Sequence, residues 1–95
     1  MIHSFENKES EEAFNGIHSH AIRKALPNDL LKKVEIRMDL LNCAESLASL
    51  SMLPVMRAEG AVRDAHGKYS IPVTGNVRIA FRWGRTGPFD VEIKL

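Results

Sequence analysis

The chain has 95 residues, of which 44% are hydrophobic and 26% charged, with a formal net charge of +1. That length suits one domain and excludes two, and the composition excludes both intrinsic disorder and a strongly polyanionic or polycationic character. A domain this small buries only roughly 60–65% of the surface its unfolded chain exposes, so one modest core must hold it together.

Charge is unevenly placed. Residues 1–54 carry six Lys/Arg against eight Asp/Glu, net −2, whereas residues 55–95 carry seven against four, net +3. A basic C-terminal half attracts polyanions, although +3 is a weak signal by itself. The single cysteine, Cys43, excludes an internal disulfide and reads as a small buried helix residue. No apolar run approaches the ~18–20 residues of a membrane span, and no leader pattern opens the chain. The expected setting is cytoplasmic, without membrane contact.

Ile2–Phe5 reads as a short N-terminal strand. The acidic stretch from Asn7 to Asn15 favours helix and stops at Gly16, with Ala13 and Phe14 as its anchors. Gly16–His20 reads as a loop. Its two histidines, His18 and His20, lack a third ligand nearby, so no metal site is expected. The main helix starts at Pro27, with Asn28 and Asp29 as capping and acidic residues. Leu31, Val34, Met38 and Leu41 follow steps of 3, 4 and 3, the apolar stripe of an amphipathic helix. Ala44–Met52 reads as a short helical or turn segment, which Leu53-Pro54 closes.

Beyond Pro54 the period changes from 3.6 to 2. Tyr69, Ile71 and Val73 alternate with Ser70 and Thr74, Val77, Ile79, Phe81 and Trp83 with Arg78, Ala80 and Arg82, and Phe89, Val91, Ile93 and Leu95 with Asp90, Glu92 and Lys94. Turns at 74–76 and 84–88 join three strands into an antiparallel meander with one apolar face, which the helices must cover. The fold class is α+β, with an N-terminal strand and two helices packed on one face of a small antiparallel sheet. Pro72 removes a donor inside a strand and therefore predicts an edge-facing or bulged position.

Several segments carry a resemblance. Met1-Ile2-His3-Ser4-Phe5 resembles an M-I-x-S-F opening, and Leu40-Leu41-Asn42-Cys43-Ala44 with Leu50 resembles an L-x-x-A…L segment. Gly67-Lys68-Tyr69-Ser70-Ile71 resembles G-x-[WY]-S-I. Gly75 to Trp83 resembles G-N-W-R-I-x-F-x-[FW], with Val77 at the usual Trp, and Asp90-Val91-Glu92-Ile93 resembles the last strand. These are features of the RelE/ParE toxin superfamily, closest to its HigB-like killer-protein branch. The resemblance spans nearly the whole chain in order.

It implies a RelE-like fold and the toxin role of a type II toxin–antitoxin pair. Such a toxin enters the ribosomal decoding site and cuts mRNA, needs no cofactor, and is held inactive by an antitoxin, typically a helix-turn-helix DNA-binding protein. RNA cleavage of this kind requires a group that takes the 2′-hydroxyl proton, one that stabilises charge on the phosphate, and one that protonates the leaving oxygen. The resemblance assigns the charge-stabilising role to Arg78, on the polar side of its strand. Arg63 lies one position beyond Val62, which replaces the family's lysine in L-K-G-D, matched here by Ala61-Val62-Arg63-Asp64. Alternation along a strand turns neighbouring side chains to opposite faces, so that offset bears directly on the substitution. His66 can supply a group that titrates near neutrality.

Arg78, Arg63 and His66 are thus the catalytic candidates, and Lys68, Arg82 and Arg85 the RNA-phosphate contacts. Trp83 reads as core or edge packing rather than a base-stacking platform. The family's terminal D-Y-H is not found at Ile93-Lys94-Leu95. With Val62, this favours an alternative in which the fold serves as a non-enzymatic binding module, poisoning gyrase or only engaging an antitoxin.

Overall fold

The computed structural model describes residues 1–51, 62–63 and 65–95. The elements run α1 (Lys8–Phe14), α2 (His20–Ala25), α3 (Asn28–Cys43), α4 (Leu47–Ser51), β1 (Val62–Arg63), β2 (Tyr69–Thr74), β3 (Val77–Gly84) and β4 (Gly87–Lys94). The strands form one antiparallel sheet in the order β1-β2-β3-β4. The class is α+β, and the C-terminal meander expected from the alternation is present. The turn closing the helical half at Leu53-Pro54, together with Ala61 and Asp64, lies outside the described residues.

α1 begins where Asn7 accepts a hydrogen bond from the Ser10 amide and ends before Gly16, whose φ of 77° suits a residue without Cβ. α2 lies within and beyond the segment read as loop. The Ser19 side chain caps it by accepting from the Ile22 amide, and Ile22 and Leu26, four residues apart, are both buried. That i, i+4 pair was the available signal for a helix.

In α3 the expected stripe of Leu31, Val34, Met38 and Leu41 is fully buried. Its start differs from expectation: Pro27 itself stands at the cap, Asn28 opens the helix, and no side chain caps it. Cys43 is exposed, not buried. It follows Leu41 by two residues, and at about 100° per residue that step carries it well off the apolar stripe.

α3 packs against β2, β3 and β4, and α1 packs against α3 and β4. The core joins that stripe to Ile71, Val73, Val77, Ile79, Phe81 and Val91 from the sheet. Tyr69 and Trp83 extend it: their rings lie 5.9 and 6.3 Å from that of Phe81. Trp83 therefore packs, as its place in the pattern suggested.

Ile2–Phe5 does not form a strand. Phe5 makes an isolated parallel bridge to Val91, and His3 donates its amide to the Pro88 carbonyl. A bulge in β4 is the reason. The register shifts between Ala80 and Arg82, and Asp90 opposite them has φ 52°, so β4 offers no straight edge to a fifth strand. Ser4 fills the break by accepting from the Asp90 amide at 2.9 Å and donating to its carboxylate at 3.2 Å.

Pro72 sits where the sequence required. The register shifts between Pro72 and Thr74, and the Pro72 carbonyl accepts from Arg37 Nε at 3.2 Å.

Candidate functional site

The face of the sheet opposite the core gathers three of the six candidate side chains, Arg78, Lys68 and Arg82, and strand register decides which. Arg78 stands opposite Pro72 on one side and Lys94 on the other. The next row of the same face is Ser70, Ala80 and Glu92. Arg82 follows along β3, four residues and therefore about 13 Å from Arg78.

Arg78 is half-buried. Its Nε donates to Ser70 Oγ at 2.9 Å and its Nη2 to the Ser70 carbonyl at 3.4 Å, which turns one edge of the guanidinium onto β2. The residue fixes its own orientation through a neighbouring strand, an economical way to hold a planar cation. Glu92 lies between two lysines, with Lys68 Nζ at 3.3 Å and Lys94 Nζ at 3.4 Å from Oε1. The Lys68 and Glu92 side chains retain only 16% and 20% of their exposure, so this pair is screened less than an open surface ion pair.

Arg82 joins the cluster from its other end. Its Nη1 donates to the His66 carbonyl at 3.3 Å, and its Nε is 3.8 Å from Asp90 Oδ2. The His66 backbone is thereby fixed beside Arg82, about two pleats away from Arg78. Its side chain is exposed, in the turn before β2.

Arg63 is not brought to this face. It pairs in register with Tyr69, which pairs with buried Phe81, and its guanidinium lies 5.8 Å from the Tyr69 ring centroid. Residues directly opposite one another share a face, so Arg63 belongs to the core side of the sheet. Val62, not Arg63, stands in register with Ser70. Arg85 lies in the exposed β3–β4 turn, beyond the end of the cluster.

Four members of the cluster were not singled out as site residues from the sequence: Ser70, Asp90, Glu92 and Lys94. The signal was there for Glu92 and Lys94, because period 2 puts them on the polar side of β4. Nothing local showed that β4 would lie beside the Arg78 strand in this register.

Lys68, Arg78, Arg82 and Lys94 set four cations against Glu92 and Asp90, so the face is net positive and fitted to phosphate oxygens. Carboxylate, imidazole and guanidinium groups are all present on or beside it. No three His, Cys, Asp or Glu side chains among the described residues are grouped to hold a metal ion. No helix among them is long and apolar enough to cross a membrane. Comparison with protein-family models and with curated proteins returned no match to this chain.

Proposed function

We propose that this chain is a RelE/ParE-type toxin that acts in the cytoplasm, binding mRNA at the ribosome through the polar face of its sheet and cleaving it. The reading is carried by one observation: half-buried Arg78 is anchored on Ser70 at one end of a face that also holds Lys68, Arg82 and Lys94. A guanidinium fixed before substrate arrives stabilises charge developing on a phosphate without reorganising. Glu92, between two lysines and one row from Arg78, is the nearest carboxylate of the face able to take part in proton transfer. The antitoxin expected of such a system, a helix-turn-helix protein, would cover this face.

The RelE-like arrangement is part of the same proposal. Its support is the order of α1, α3 and the C-terminal meander, together with the chain-wide sequence resemblance.

A second reading, a non-enzymatic module of the same fold, is favoured by Arg63 pairing with Tyr69 on the opposite face and by the exposed position of His66 in the turn before β2. One experiment separates the two. Induced in cells lacking an antitoxin, the chain should arrest growth and leave mRNA cut within codons, and Arg78→Ala should abolish both effects. Growth arrest that survives Arg78→Ala, with intact mRNA, would establish the binding module instead. Undisturbed growth with the unaltered chain would defeat the toxin reading altogether.

A further inference from the structure

We propose a second anion site, distinct from the sheet face, in the concavity between α2 and the N-terminal half of α3: a site for the phosphate group of a phosphate monoester. The concavity holds about 590 Å³ and is lined by His18, Arg23, Asn28, Lys32 and Glu35. Three separate segments supply these side chains: the loop before α2, α2 itself, and α3. Arg23 and Lys32 form no ion pair among the described residues. Glu35 is the sole carboxylate of the lining among the described residues, and its Oε1 is engaged by His18 Nε2 at 2.5 Å. Arg23 and Lys32 outnumber it, so the lining favours an anion.

The donor set selects the ligand class. A guanidinium fork, an ammonium and the Asn28 amide, all exposed, line the one concavity. A carboxylate's two oxygens are already matched by one guanidinium, whereas a phosphate offers further oxygens to the lysine and the amide. Apart from the His18 ring, which is bonded to Glu35, no aromatic or purely aliphatic side chain among the described residues lines it to grip an organic remainder. Recognition thus centres on the phosphate group, with the rest of the ligand outside. The volume falls within the roughly 300–1,000 Å³ of small-ligand sites. This inference is independent of the toxin reading.

The test is a titration of the ¹⁵N-labelled chain with inorganic phosphate and with a nucleoside 5′-monophosphate, followed by amide shifts. Both ligands should give saturable shifts at residues 18–35. Arg23→Gln and Lys32→Gln should each weaken binding roughly three- to tenfold, the effect of losing one exposed charge-assisted contact. Lys8→Gln, which removes an exposed lysine outside the concavity, should leave it unchanged. Shifts that never saturate, shifts that map to the sheet residues 68–94 instead, or a Lys8→Gln effect equal to that of Lys32→Gln would each overturn the proposal.

Discussion

Arg78 and Ser70 are joined twice, by Nε to the Ser70 hydroxyl at 2.9 Å and by Nη2 to the Ser70 carbonyl at 3.4 Å. They lie on adjacent strands but not directly opposite: Arg78 faces Pro72, and the guanidinium reaches diagonally to the next row. A diagonal contact of this kind needs a long side chain, and it fixes where the cation points.

Ser70→Ala should therefore separate position from charge. It removes one hydrogen bond to a charged group and should cost about 1 kcal/mol of stability in a denaturant titration. In the toxin reading it should lower mRNA cleavage by less than Arg78→Ala, for which a loss of about 100-fold or more is expected. Equal losses in the two variants would show that the anchor, not the charge, was limiting.

Ser10 is fully buried, and its hydroxyl accepts the Ile93 amide at 3.0 Å. Ser10→Ala leaves that amide without its acceptor at the junction of α1 and β4, with an expected cost of about 1–3 kcal/mol. Thermal unfolding and exchange of the Ile93 amide would measure it. A change within experimental error would mean that water or a backbone shift replaces the hydroxyl.

Gly87 has φ 139°, and a Cβ there would lie 2.8 Å from the Met1 carbonyl oxygen. Gly87→Ala should strain the β3–β4 turn and push the N-terminal segment off β4, destabilising the fold by about 1–3 kcal/mol. Hydrogen exchange at His3, whose amide bonds to Pro88, should accelerate more than exchange in α3. Uniform acceleration would instead indicate global loosening.

Pro72→Thr should be nearly neutral, within about 0.5 kcal/mol, because the β2–β3 register already breaks beside it. A large gain in stability would show that the proline interrupts pairing after all.

Exposed Cys43 should react with a thiol reagent in the native state, at a rate close to that of the unfolded chain. Cys43→Ser should leave the melting temperature unchanged. Protection until unfolding would contradict the exposed position.

Much of the architecture was legible in the residues because it depends on local spacing. The 3-4-3 stripe of α3 and the alternation of β2, β3 and β4 each state which side chains must leave water, and Pro72 announced its own irregularity. Short elements were less legible. α2 is held by one cap and two apolar residues, too little periodicity to stand out, and the segment Ile2–Phe5 has strand-like residues but meets a bulged neighbour.

For the candidate site, the sequence determined that Arg78, Arg82, Glu92 and Lys94 occupy the polar side of their strands, since period 2 fixes the face within a strand. It could not determine what lies across from them. Whether Arg63 joins Arg78 depends on a one-residue register between β1 and β2, and that register turned it to Tyr69 on the core side. Register is a choice among pairings of whole strands, settled by packing Ile71, Ile79, Phe81 and Val91 under the helices, so only the tertiary structure could make it.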